Sequence, residues 1–430
     1  MNATTRLEDR LEHTPGDVEV VGQLALHRGQ VLVELAAGFI TGRRSISPFK
    51  LAMQPGLQPA PSGLRHGLHG VFDDSLPDGW GLLLMDRVFL ARGVRTGQLS
   101  ALDRLAYLGR RTLGALTYHP CSEPDGGEPE AVRLGELATA ALAVHEGSAT
   151  EVLPALQRAG GSPGGARPKV LVGIRGDRFI SGADDLPPDH HPWLIKFNTR
   201  DDPANAGALE YAYARMARTA GITAPEARLF ALPDGERCFG VRRFDRDDHG
   251  RVHMHTLANL LHVDYRTPSL DYEHLIRVTT QLTRNHSHVR ECFRRALFNW
   301  LAHNRDDHGK NFAFLMRRDG TWDLSPAYDL TFAEGPGGEH TTTYAGQGKR
   351  PTWPDLQRLA RLASIDAGGA AQILGEVREG VGAWTTEASA SQIPRAQVRE
   401  IASRLAEVEA AGQLPPRTPA PKAPARRARS

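Results

Sequence analysis

Hydrophobic and polar positions change period several times along the chain. Residues 18–40 alternate as strands do: "VEVVGQLAL", a turn at His27 to Gly29, then "VLVELAAGFI". "GVFDDSLPDGWGLLLMDRVF" mixes a Pro-Asp-Gly turn with a helix-like apolar face, and "LSALDRLAYLGRRTLGALTYHP" predicts a short helix and then a strand. The polar run "SEPDGGEPE" (122–130) marks a domain boundary.

From about residue 131 a helical stretch leads into "GGSPGGARPK". Three strands are then expected, "KVLVGI", "RFIS" and "WLIKF". "ALEYAYARMARTAG" has helical spacing and ends on Gly221, a C-cap signal. "ARLFALP" and "RCFGVRRF" pair across Pro233-Asp234-Gly235 as a hairpin, and beyond 255 helical patterns dominate. The expected fold class is α+β: a strand-rich smaller lobe, a mostly helical larger lobe and an additional N-terminal α/β subdomain. The corresponding boundaries are a flexible 1–17, an N-terminal subdomain at 18–130, a strand-rich lobe at 131–250, a helical lobe at 251–410 and a disordered basic tail at 411–430.

Composition narrows the function classes. A length of 430 residues allows two or three domains. The formal charge of +2 misleads, because Arg417, Lys422, Arg426, Arg427 and Arg429 lie in the tail; without those five the body carries about −3. A body built to coat nucleic acid is not indicated. Three scattered cysteines (Cys121, Cys238, Cys292) have no CxxC spacing, and no apolar run reaches membrane-span length, so a cytoplasmic protein without membrane contact is expected.

Candidate chemistry centres on "HNRDDHGKNFAFL" (303–315). Before it, "VRECFRRALFNWLAH" places Val289, Phe293, Leu297, Trp300 and Leu301 on one helix face. After it, "NFAFLM" and "WDL" flank Asp319-Gly320 as a hairpin, and "SPAYDLTF" carries Asp329 eighteen residues beyond Asn311. Phosphoryl transfer needs a carboxylate to accept the attacking hydroxyl's proton, and an amide and a second carboxylate to hold Mg²⁺ against nucleotide phosphates. Asp306 fits the first role; Asn311 and Asp329 fit the second. A polar loop in which Asp306 and Asn311 merely cap turns is the plainer alternative. Lys196, inside the apolar strand "WLIKF", suits nucleotide phosphates or a solvated sheet edge, and Glu210 is its possible ion-pair partner or a solvent-face residue. "GGSPGGARPK" offers flexible backbone near phosphates but is neither GxGxxG nor Walker A. His253/His255 and His303/His308 lack HExxH spacing, which leaves metal ligation a weak reading.

Taken together in order, "GSPGGARPK", "PWLIKF", "GVRRFDR", "HNRDDHGKNFAFL" and "LSPAYDLT" resemble the HipA-like serine/threonine kinase toxins of bacterial type II toxin–antitoxin systems. "FDDSLPDGWG" and "LSALDRLAYLGRRTLGAL" resemble that family's N-terminal subdomain, so the resemblance runs from about residue 18 to 408. It implies a two-lobed protein-kinase-like body that uses ATP and Mg²⁺ to phosphorylate a translation component, typically an aminoacyl-tRNA synthetase. By residue, it implies Asp306 as catalytic, Asn311 and Asp329 as metal-holding, and Lys196 as ATP-contacting. Backbone groups at Arg242 and Phe244 would meet the adenine; Gly164, Gly165, Lys169, His308 and Lys310 complete the expected nucleotide site. Ser162 matches the loop serine whose autophosphorylation inactivates the family's kinases. The implied partner is a helix-turn-helix, HipB-like antitoxin, with DNA contacted through the complex. Two other functions stay open: a small-molecule phosphotransferase of kinase-like fold, and an inactive subunit that binds antitoxin and DNA.

Overall fold

The structure is a computed structural model that describes residues 3–42, 44–62, 64, 66–122, 130–149, 151–161, 164–182, 186–187, 189–202 and 205–416. An N-terminal unit holds five strands, β1 (Arg6–Thr14), β2 (Asp17–His27), β3 (Gln30–Leu35), β4 (Leu57–Pro59) and β5 (Leu116–His119), in the order β4-β3-β2-β1-β5. Every neighbouring pair is antiparallel. Leu7, Leu11, Leu24, Val31 and Val33 are buried and alternate with more exposed positions, the period-2 signature of a half-buried sheet. Four helices accompany it: α1 (Ala37–Thr41), α2 (Gly70–Asp73), α3 (Gly79–Ala91) and α4 (Ala101–Leu108). Ser100 and Asp103 form a capping box that starts α4.

Two sequence expectations are corrected here. Residues 6–14, expected within a flexible N-terminus, are a strand paired on both sides, with β2 and β5. Two of its acidic residues are paired, Glu8 with Arg10 and Glu12 with Arg110, so poor hydrophobicity did not prevent strand pairing. Residues 37–40, read as strand, belong instead to helix α1, which starts after Ala36.

The middle of the chain forms a six-stranded antiparallel sheet, order β10-β11-β9-β7-β8-β6, from β6 (Ala131–Val132), β7 (Lys169–Arg175), β8 (Arg178–Ser181), β9 (His191–Lys196), β10 (Ala227–Ala231) and β11 (Arg237–Arg242). Strand β7 is buried from Lys169 to Ile174, as its near-continuous apolar run requires. Helices α5 (Leu134–His145) and α6 (Pro154–Ala159) precede β7, and α7 (Ala206–Thr219) follows β9. Beyond α7, Gly221 takes φ +75°, a conformation that suits glycine at a helix end.

The last unit is mostly helical. Short strands β12 (Arg246–Asp247) and β13 (Gly250–Arg251) lead to β14 (His253–Thr256) and α8 (Leu257–Leu261). There follow β15 (Leu270–Asp271), α9 (Tyr272–Thr283), α10 (His286–Leu301), the hairpin β16 (Ala313–Met316) and β17 (Trp322–Leu324), and β18 (Thr342–Thr343). Helices α11 (Trp353–Leu362), α12 (Ala367–Gly382), α13 (Trp384–Ala390) and α14 (Arg395–Ala411) complete it. Residues 411–416, expected as the start of a disordered tail, are docked: Trp353 N donates to Gly412 O at 2.8 Å and Arg378 Nη1 to Pro415 O at 2.8 Å. Arg417 to Ser430 lie outside the described residues.

Two apolar cores knit these units together. The larger joins Leu24, Val33 and Phe72 of the N-terminal unit to Leu257, Phe293 and Phe314 of the helical unit. The smaller packs Trp80 and Leu84 of α3 against Val170, Trp193 and Ile195 of the six-stranded sheet. Among the described residues, no helix is long and apolar enough to cross a membrane.

Candidate active site

Helix α10 buries the five apolar residues of its predicted face and is capped by Asn285, whose side chain accepts from Ser287 N at 3.0 Å. It delivers the chain into the loop at 304–310. There Asp307 turns inward and is fully buried. Its carboxylate accepts from Tyr272 OH (2.9 Å), His340 Nδ1 (3.0 Å), Thr341 N (2.9 Å) and Thr342 N (3.2 Å). With its neighbour anchored, Asp306 faces a cleft of about 680 Å³. Asn311 Nδ2 donates to Asp306 O at 2.7 Å, which fixes the amide.

The β16–β17 hairpin returns the chain to the same cleft. Tyr328 OH donates to Lys310 O at 2.6 Å, tying the second segment to the first. Asp329 has φ +57°, a left-handed conformation uncommon for a residue with a side chain and tolerated better by Asp and Asn than by most. From the sheet, Lys196 Nζ donates to Asp329 Oδ1 at 2.5 Å and to Glu210 Oε1, on α7, at 2.6 Å. The Lys196–Glu210 pair left open by the sequence therefore forms. Arg167 adds a second cation, 3.7 Å from Glu210 and 2.7 Å from Asp202.

These contacts polarise the titratable groups. Burial alone would raise Asp329, but the Lys196 and Lys169 ammoniums outweigh it and hold the carboxyl well below the usual range. Burial lowers Lys196, yet Asp329 and Glu210 reverse that and push it well up. Lys169 goes the other way: burial, then repulsion from Lys196, brings it down to about 8. Asp306 is raised by burial and by the neighbouring Asp329 and Asp307 charges, against a counter-pull from His308.

Gly164, Gly165, Lys169, Lys196, Arg242, Phe244, Asp306, His308, Lys310, Asn311 and Asp329 all line this one cleft. Ser162 lies outside the described residues. The Arg242 amide donates to Glu226 O at 2.8 Å. The Phe244 ring lies 5.3 Å from that of Tyr328, tilted by 38°. His255 is held by Asp74 (2.6 Å) and Ser47 (3.1 Å). Among the described residues no group of three or more His, Cys, Asp or Glu gathers as a metal site. The fixed Asn311 amide and the ionised Asp329 are hard oxygen donors that suit magnesium, which keeps the rest of its shell from water and phosphate.

Sequence reasoning missed Asp78, Arg167 and Tyr265, which also line the cleft. Asp78 was hidden in a Pro-Asp-Gly turn of the N-terminal unit. Arg167 lay in the loop between recognised glycines and Lys169, and Tyr265 carried no signal at all.

The structure defines a mixed α/β protein whose charged cleft is lined by all three of its packed units. Residues 17–119 match the HipA N-terminal domain and residues 161–407 the HipA-like C-terminal domain, and the chain belongs to the HipA-like family. Two curated relatives carry the name "Putative kinase". One, Y4dM of Sinorhizobium fredii, is 30% identical over 151 residues (32% of this chain, 36% of the relative). The other, from Haemophilus influenzae, is 26% identical over 185 residues (40% of this chain, 52% of the relative). The matches thus span about a third and about half of those relatives' lengths. The fold is similar to HipA of Shewanella oneidensis, solved with HipB and its operator DNA, with TM-score 0.69 and 15% identity over 95% of this chain and 96% of that one.

Proposed function

We propose that the chain is an ATP- and Mg²⁺-dependent serine/threonine protein kinase with a two-lobed, protein-kinase-like body, acting as the toxin of a type II toxin–antitoxin pair. The observation that carries this reading is the convergence of Asp306, Asn311 and Asp329 with the Lys196–Glu210 pair on one cleft. No small-molecule phosphotransferase reading accounts for an N-terminal unit built into that cleft.

In the proposed reaction, a substrate hydroxyl oxygen attacks the γ-phosphorus of ATP, the bond from that phosphorus to the bridging oxygen breaks, and ADP leaves. Asp306 accepts the hydroxyl proton; its raised affinity for protons suits that role. Lys196, oriented by Glu210, and Lys169 face the phosphates with positive charge. Asn311 and Asp329 would hold magnesium, which when bound neutralises charge on the phosphates. Apolar Leu194, Phe239, Val241 and Phe244 offer a wall for the base.

Family membership supports the toxin role, and a translation component, such as an aminoacyl-tRNA synthetase, is the proposed substrate. A HipB-like helix-turn-helix antitoxin is the proposed partner, and DNA is reached through that complex. Phosphorylation of Ser162, two residues before Gly164 in the sequence, would add about −1.5 to −2 charge to a segment proposed to serve phosphates and so switch the kinase off. Intact mass after ATP incubation is expected to rise by one phosphate that Ser162→Ala abolishes; an unchanged mass removes this step.

The test of function is induced expression of the native chain and of Asp306→Ala, each followed by phosphoproteomics. Growth arrest lost in the variant, with one phosphorylated serine or threonine on a translation protein, is the expected result. Equal arrest from both would replace kinase chemistry with the reading of an inactive antitoxin-binding subunit.

A further inference from the structure

Resting on the reading of the cleft as a nucleotide site, we propose that Asp78 of the N-terminal unit is a positioning residue for it. Asp78 latches the Gly164–Gly165 loop and the Lys310 ammonium in the places where the nucleotide phosphates meet them.

Asp78 occupies the N-cap position of α3, where an aspartate ordinarily accepts from its own helix's amides. It makes no such bond. Its carboxylate crosses to other units instead. Oδ1 accepts from Gly165 N, and Oδ2 accepts from Tyr265 OH at 2.9 Å and from Lys310 Nζ at 3.4 Å. Lys310 also lies 4.9 Å from the centre of the Tyr265 ring, a cation–π contact. Asp78 is itself buried, so these bonds replace water it has lost.

The next two residues grip the same loop. Trp80 N donates to Gly165 O at 3.0 Å, and Trp80 Nε1 donates to Lys169 O at 2.8 Å. Gly79, at φ +46°, passes so close that a Cβ there would meet Gly165 O at 2.5 Å. The two backbones touch where only a glycine fits. On its inner side, the loop is held by Lys169 Nζ, which donates to Gly164 O.

The physical need is clear from the loop's composition. Consecutive glycines lose the most conformational freedom on ordering, and a site that must order them while binding forfeits affinity. The Asp78-Gly79-Trp80 turn does that ordering in advance, with contacts supplied from outside the sheet that carries the loop. It also gives the N-terminal unit a purpose within the cleft.

The test uses the full chain as wild type, Asp78→Ala, Asp78→Asn and Gly79→Ala. Calorimetry would measure affinity for ATP with Mg²⁺ and for adenosine, and hydrogen exchange would be followed over residues 160–168. Asp78→Ala is expected to weaken ATP by about ten-fold or more while adenosine stays within about two-fold of wild type. Exchange at Gly165 should accelerate. Asp78→Asn should recover part of the loss, since its amide oxygen still accepts from Gly165 N–H but offers Lys310 no charge. Gly79→Ala should displace the loop and mimic Asp78→Ala.

ATP affinity that is unchanged in Asp78→Ala overturns the proposal. Tighter ATP binding also overturns it, and would make Asp78 a competitor of the phosphates. Equal weakening of ATP and adenosine would reduce Asp78 to a structural role. If the wild type binds no ATP, the kinase reading fails by itself, and the latch stands or falls on whether Asp78→Ala speeds exchange at Gly165.

Discussion

Asp306 and Asp307 are neighbours of the same residue type with opposite surroundings. Asp307 supplies acceptors to two backbone amides, a tyrosine and a histidine in the interior, while Asp306 lines the cleft. Asp307→Ala would strand those donors and is expected to cost about 3–5 kcal/mol of stability, read by denaturant unfolding. Asp306→Ala should change stability by less than about 1 kcal/mol and lower kcat by about 10²–10⁴-fold. Comparable stability losses from both would mean that Asp306 is also structural. The raised pKa of Asp306 carries a sign as well: its deprotonated form accepts the proton, so kcat/KM should fall as pH drops through a value above the ordinary carboxylate range. A flat acid limb would remove Asp306 as the base. The spacing of Asp306, Asn311 and Asp329 was legible in the sequence, because helix, loop and hairpin follow each other directly. The inward turn of Asp307 was not, since its partners Tyr272, His340, Thr341 and Thr342 come from other segments.

Strand β1 carries the clearest conflict at the level of elements. Its alternating inward positions include Leu7 and Leu11, but also Asp9, whose two carboxylate oxygens are buried and find no partner among the described residues. Burial, with a smaller push from Glu8 and against a counter-pull from its own backbone, raises Asp9 from 3.8 to about 7. Between those values the folded chain binds more protons than the unfolded one, so stability falls as pH rises through that window. The full difference is on the order of 4 kcal/mol, from about three pKa units at 1.36 kcal/mol each. Asp9→Asn should flatten the dependence and leave the chain more stable than wild type at pH 8; melting curves at pH 5 and pH 8 that stay parallel for both proteins would refute this. An acidic residue at an interior position is the reason the strand escaped a reading based on apolar alternation. The hairpin β10–β11 and helix α7 had no such conflict, and both appear where turn residues and helical spacing put them.

At the scale of the whole molecule, the polar segment 122–130 separates units along the chain but not in space. Both cores draw side chains from either side of it, and Asp74 of the N-terminal unit accepts from His255, Thr256 and Asn259 of the helical unit. The chain is therefore expected to unfold in one cooperative calorimetric transition, and a fragment beginning at residue 131 to aggregate through its uncovered apolar surface. Two separate transitions, or a soluble fragment with the same helix content per residue, would overturn this.

Local order, taken by itself, settled much of this protein. Period-2 and period-3.6 patterns, turn residues and caps act over a few residues, so most strands of the six-stranded sheet, helices α7 and α10 and the spacing of Asp306, Asn311 and Asp329 could be read from neighbours alone. Tertiary structure decided what depends on groups far apart in the chain. It joined Lys196 to Asp329 across 133 residues, paired charged strand β1, and brought Asp78 onto Gly165 and Lys310. Hydrogen bonds and ion pairs act only within a few ångströms, and which distant residues reach that range is settled by how the apolar faces pack.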